Sequence, residues 1–257
     1  MQDVIEIIKE TAVKAGKIAL ERRKDFSSVQ VFAKATPIDL VTDVDRELER
    51  FITDELKKAT PEYGFIGEEY GRINSDNEWC YCIDPIDGTT SYVHGATIFT
   101  VSIGVLHNGG FYAGAVYAPQ LDELYWAEKG KGAYLNGTPI HVSSCTELSH
   151  ALCSTGFACV RAREEHNNLK YFVKLVPQLQ GIRRTGSAAF DLCQVAAGRF
   201  DGYWEFSLNL YDIAAGTLIA MEAGAAVGDV DGGMELLKNG IICSAPGIHE
   251  QLRRELQ

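Results

Sequence analysis

The sequence predicts a mixed α+β / α/β fold, two sheet-and-helix halves divided near residue 140 and joined as one compact unit. Three observations carry this. Apolar residues recur at helical spacing in two long segments near the N-terminus. Between residues 98 and 135 the pattern changes to short β-rich runs separated by turn signals. Beyond residue 140 helical and extended patterns alternate. A chain of 257 residues is long enough to bury a sizeable core without disulfides or metals as staples.

Each element has its own signal. Residues 3–24 place Ile5, Ile8, Ala12, Ala15 and Ala19 on one face and end on Arg22-Arg23-Lys24, cations where the helix dipole favours them. Residues 28–33 read as a strand. Thr42 or Asp43 can cap a second helix running to about Lys58, with Leu48, Phe51, Ile52 and Leu56 inside, and Pro61 ends it. Tyr63–Ile66 and Glu78–Ile83 read as strands. Ile98–His107, Gly110–Ala118, Glu123–Glu128 and Gly132–Leu135 form an antiparallel meander, punctuated by Asn108-Gly109 and Asn136-Gly137. Helices are then expected at 164–176, 187–198, 212–223 and 247–257, and strands at 180–185, 200–205, 225–230 and 240–244. No repeat or low-complexity segment interrupts them.

Hydrophobic residues make up 46% of the chain and charged residues 23%, as in an ordinary globular protein. The net charge of −11 argues against nucleic-acid or membrane-surface binding, which needs a basic face. Seven cysteines, an odd number without regular spacing, do not describe a disulfide framework. Cys80 and Cys82 share one strand face, but no second Cys/His pair stands at ligand spacing, so packed thiols are expected. Neither a signal peptide nor a bilayer-length apolar run is visible, and a reducing cytoplasm is expected.

The chemistry is concentrated in Asp84-Pro85-Ile86-Asp87-Gly88-Thr89-Thr90, at the end of a strand. Two carboxylates three apart can bridge hard cations. The amides of Gly88 and Thr89, if they open a helix, can receive a phosphate. An acidic turn that merely caps a helix fits this stretch equally well. Further acids stand in Gly67-Glu68-Glu69, in Tyr211-Asp212-Ile213-Ala214-Ala215-Gly216, and between Lys34 and Asp45. Taken singly, the last two read as helix starts.

Together, in this order and spacing, these segments closely resemble the inositol monophosphatase family over roughly residues 5–250. The resemblance implies a layered αβαβα sandwich and Mg²⁺-dependent, lithium-sensitive hydrolysis of a phosphate monoester, with two or three Mg²⁺ per site. It implies Glu68, Asp84, Asp87, Asp212 and the Ile86 carbonyl as metal ligands. Thr89 and Asp45 would orient the attacking water, with Glu68 and Lys34 beside it. Gly88, Thr89, Gly186, Ser187, Ala188, Glu205 and Asp212 would contact the substrate. On this reading residues 1–140 hold the antiparallel sheet and most metal ligands, and residues 141–257 supply Asp212 and substrate contacts. A homodimer is also implied.

The physics agrees with the resemblance. Cations neutralise the dianion and activate water, and positioning and electrostatics then suffice without a phosphoenzyme. Oxygen donors favour Mg²⁺ over Zn²⁺. The expected substrate is a small phosphorylated polyol, foremost myo-inositol 1-phosphate. Fructose-1,6-bisphosphatase, histidinol-phosphate phosphatase and a non-catalytic binding role in a larger assembly are the rivals. Nucleotide 3′-phosphatase fits least, because that branch tends to carry Lys where Thr90 stands. Ser91-Tyr92 and Tyr211 depart from the family's Asn-aromatic and Trp, which bears on the substrate more than on the reaction. Residues outside the motif have plainer readings. His94-Gly95 reads as a turn, and Arg183-Arg184 equally as a solvated strand end or as a second-phosphate or subunit contact. Read without the resemblance, Glu205 is an exposed edge acid.

Overall fold

The computed structural model describes residues 3–25, 29–33, 40–165 and 167–257. Five layers follow one another. Helices α1 (Val4–Lys24) and α2 (Asp43–Ala59) cover one face of an eight-stranded sheet, bury Ile8, Leu48 and Ile52 completely, and pack on the strands' Ile83, Val101 and Ile103. That sheet runs β10-β9-β8-β7-β6-β5-β3-β4. Its strands are β3 (Gly64–Gly67), β4 (Gly71–Ile73), β5 (Trp79–Asp87), β6 (Thr100–His107), β7 (Gly110–Ala118), β8 (Glu123–Glu128), β9 (Ala133–Leu135) and β10 (Thr138–Ile140). A short two-stranded sheet, β1 (Val31–Ala33) with β2 (Leu40–Thr42), leads into α2.

Helices α6 (Ala188–Ala196) and α7 (Leu210–Glu222) form the middle layer and pack on both sheets. The second sheet runs β12-β11-β13-β15-β14, from β11 (Leu152–Thr155), β12 (Gly181–Arg183), β13 (Gly202–Glu205), β14 (Ala226–Gly228) and β15 (Ile241–Ser244). Helices α5 (Leu169–Leu175) and α9 (His249–Glu255) close its outer face around Trp204, Ile242 and Leu252. The layering is the αβαβα sandwich.

The meander from β6 to β9 is antiparallel throughout, as the turn signals require. Thr42 caps α2 in a capping box with Asp45. All seven cysteines are free, six of them buried. Several expectations need correction. The helix expected at 164–176 is shorter, α5 over Leu169–Leu175, and a separate single turn, α4 (Ala158–Arg161), precedes the expected range. Helix α3 (Thr89–Val93) is the one that Gly88 and Thr89 could open, whereas the strands β2, β4, β10 and β11 and the short helix α8 (Leu236–Asn239) were not legible. β11 shows why. It lies between two parallel partners, where packing on both faces replaces the alternation that marks a half-buried strand.

Candidate metal and phosphate site

The site begins with an irregularity. In β5, Asp84 pairs with Ser102 and Asp87 with Thr100, so three steps on one strand match two on its neighbour. Residues three apart on a regular strand face opposite sides. The bulge turns Asp87 back to the side of Asp84. Gly88 follows with φ of 100°, a left-handed conformation that glycine adopts without strain, and α3 opens at Thr89. The Thr89 hydroxyl lies 3.2 Å from both Asp45 Oδ1 and the Ile86 carbonyl oxygen. Its one proton chooses between them. Asp45 is held in turn by the Thr42 amide (2.8 Å) and hydroxyl (2.5 Å), both donating to Oδ2.

Two other elements bring the remaining acids. Glu68 follows β3, which runs parallel to β5, and its N–H donates to the Ile83 carbonyl. Asp212 stands in the first turn of α7, where its Oδ2 accepts from the N–H of the N-cap residue Asn209 at 2.6 Å. Asn209, not Asp212, is therefore the cap. Glu68, Asp84, Ile86, Asp87, Gly88, Thr89 and Asp212 line one cavity of about 300 Å³. No His or Cys is among the residues lining it.

Charge is crowded there. Burial, then the carboxylates of Glu68, Asp87 and Asp212, hold Asp84 well above the usual carboxylate range. Burial pushes Asp87 up to about 6 against the hydrogen bonds of Ser187 and Ala189. Burial followed by the Asp87 charge raises Asp212 well above its ordinary value. Asp45 is pushed up to about 7, mainly by burial. Among the described residues no three His, Cys, Asp or Glu side chains stand as a ready-made metal cage. Protein donors occupy one oxygen each of Asp84, Asp87 and Asp212. The donor set nonetheless fits a hard divalent cation. Several carboxylates and a carbonyl share one small cavity, and a divalent cation placed among them would relieve the repulsion that raises Asp84, Asp87 and Asp212.

A larger cavity of about 720 Å³ shares Glu68, Asp87, Gly186 and Asp212 with the smaller one and is lined also by Ser187, Ala188, Asp191 and Glu205. Glu205 overturns its edge-acid reading. It is 6% exposed, on a strand between two others, and accepts from Tyr203 Oη (2.9 Å) and the Ala158 N–H (3.2 Å). Burial raises its pKa, while those donors, Arg184 and Arg161 pull it down. Ser187 caps α6 by accepting from the Phe190 N–H, and donates its proton to Asp87 Oδ2 at 2.7 Å. Its hydroxyl therefore serves Asp87. Arg184 and Arg161 line both cavities, whereas Arg183 lines neither. His94 is exposed, its N–H turned to the Thr90 carbonyl at the end of α3, and lines neither cavity. Lys34 and Asp39 lie outside the described residues.

Sequence reading missed Glu49, Asp191 and Arg161. Asp191 is buried, with Thr185 donating to it at 2.8 Å. Only an acid on an apolar helix face marks Glu49 or Asp191, and nothing in the sequence marks Arg161.

Comparison with known proteins adds the lineage. The profile of the inositol monophosphatase family matches residues 1–257. An inositol-1-monophosphatase of Mesorhizobium japonicum is 38% identical over 254 residues, 98% of this chain and 94% of that protein. A putative Nus factor SuhB of Neisseria meningitidis is 39% identical over 237 residues, 91% of this chain and 90% of that one. The crystal structure of the extragenic suppressor protein SuhB of Bartonella henselae superposes with a TM-score of 0.91 at 36% identity, covering 99% of this chain and 98% of that one. With the five layers and the acid-lined cavity in place, the chain belongs to the inositol monophosphatase family.

Proposed function

We propose that this protein hydrolyses a small phosphate monoester, foremost myo-inositol 1-phosphate, in the presence of Mg²⁺. One observation carries the reading: Glu68, Asp84, Asp87 and Asp212, from three separate segments, line one cavity beside Gly88 and Thr89. Those four carboxylates and the Ile86 carbonyl would hold two or three Mg²⁺. When bound, Mg²⁺ neutralises phosphate charge and acidifies water. Thr89 lines the cavity with its hydroxyl 3.2 Å from Asp45 Oδ1, and the pair would orient an attacking water. Glu68 would flank that water, and Lys34 is proposed as its further neighbour. The wider cavity, with Glu205, Gly186 and Ala188 on its wall, receives the polyol hydroxyls. Glu205, held by Tyr203 and Ala158, is oriented to accept from one of them.

The test is phosphate release with Mg²⁺ and with EDTA, for wild type and Asp87→Asn. Equal, metal-independent rates in both end the proposal. A panel of myo-inositol 1-phosphate, fructose 1,6-bisphosphate, histidinol phosphate and a nucleotide 3′-phosphate ranks the substrates.

A second reading rests on the relative named as a putative Nus factor, a role in a transcription assembly. Capture of transcription proteins by wild type and Asp87→Asn alike, with no phosphatase activity in either, favours it. The proposed homodimer is read by light scattering on the eluting protein.

A further inference from the structure

We infer that Glu49 is a positioning residue for cation binding: its buried carboxylate sets the turn that carries Glu68 into the cavity. The inference rests on the reading of Glu68 as a cation ligand and adds the part that places it.

Glu49 lies one helical turn beyond Asp45 on α2, so both point to the same side. It is 2% exposed. Oε2 accepts from the Glu69 N–H at 2.7 Å, and Oε1 from the Tyr70 N–H at 3.0 Å. With the Glu68 N–H on the Ile83 carbonyl, three successive amides of the turn are fixed. Two of them depend on this one side chain. Charged acceptors make the strongest such bonds, and two oxygens fix orientation as well as distance. Gly67 belongs to the same device. A Cβ there would stand 1.9 Å from Glu49 Oε1, so only glycine lets the carboxylate reach the turn. Outer partners of this kind commonly govern metal affinity.

The experiment uses the full chain stripped of metal. Mg²⁺ binding is measured by calorimetry and thermal unfolding is followed without metal, for wild type, Glu49→Gln and Gly67→Ala. Gln offers one acceptor and turns its amide hydrogens on the second N–H. Alanine displaces the carboxylate from the other side, so each variant reports if the other fails to fold. The Mg²⁺ dissociation constant is expected to rise roughly tenfold or more in both. The Mg²⁺ needed for half-maximal phosphate release rises in step, and most of kcat returns at saturating Mg²⁺. A merely structural Glu49 would lower the melting temperature and leave the Mg²⁺ constant unmoved; that result overturns the inference and leaves the proposed function standing. Wild type that binds no Mg²⁺ overturns both.

Discussion

Replacing Asp87 by asparagine separates the carboxylate's chemical role from its structural one. Oδ2 of Asp87 accepts both protein hydrogen bonds, from Ser187 Oγ at 2.7 Å and the Ala189 N–H at 2.8 Å. The asparagine Oδ1 can take both, leaving its amide nitrogen toward the acid-lined cavity in place of Oδ1. The variant therefore keeps the anchor of α6 and loses a charge. Burial raises that carboxyl from 3.8 to about 6, so ionising it in the fold costs about 3 kcal/mol more than in the unfolded chain. Because the folded-state pKa lies above the unfolded value, the stabilisation is complete below pH 3.8 and is lost as pH rises through about 6. Asparagine has no such dependence. Without metal, the two proteins should melt together near pH 4, and the variant should melt about 6–10 °C higher at pH 7.5. Added Mg²⁺ should raise the wild type and leave the variant nearly unmoved. A metal-free variant less stable than wild type at pH 7.5 would refute the reasoning. It would make Asp87 a structural anchor, not a charge held for a cation.

Thr42→Val removes the donor and the acceptor that the capping box shares with Asp45. It should cost about 1–2 kcal/mol in urea unfolding and slow hydrolysis by loosening Asp45 against Thr89. Tyr203→Phe takes one of two protein donors from buried Glu205. It should destabilise by about 1–3 kcal/mol and raise KM for a polyol phosphate more than it lowers kcat. Li⁺ should suppress phosphate release, as a hard cation of too little charge competing for the same oxygens. Rates unchanged at tens of millimolar Li⁺ would count against a shared cation site.

Much of the site was legible because the motif residues are polar in surroundings that select against polarity. Asp84-Pro85-Ile86-Asp87 stands out after Tyr81-Cys82-Ile83, and its position at a strand end follows from that contrast. The bulge was not legible. A strand read as regular puts Asp84 and Asp87 on opposite faces, and only pairing with Ser102 and Thr100 reveals the extra residue. Read without the resemblance, Glu205 was misplaced for a related reason. Its neighbours on β11 and β15 are distant in sequence, so the enclosed strand resembled an edge. Glu49 was invisible because its partners are backbone amides, which every residue carries.

The small residues after Asp212 belong to the same account. Ala214-Ala215-Gly216 is unremarkable as a helix start, and as a sequence pattern it only repeats the family's. In the fold, Gly104 on β6 and Gly114 on β7 stand opposite one another beneath these alanines. A Cβ on Gly104 would lie 2.8 Å from Ala214 Cβ, and one on Gly114 2.7 Å from the Ala215 carbonyl oxygen. Gly216, on the far side, meets Leu192 of α6 at 2.8 Å by the same measure. Helix α7 is thus seated without spacers between sheet and helix, and Asp212 stands in the first turn of the helix so seated. Interiors packed this closely transmit displacement rather than absorb it. Gly104→Ala, far in sequence from every acid, should lift α7 and weaken Mg²⁺ binding beyond its cost in stability. A Gly104→Ala protein that binds Mg²⁺ as tightly as wild type would show that Asp212 is positioned by its own turn, through Asn209, and not by the seat of the helix.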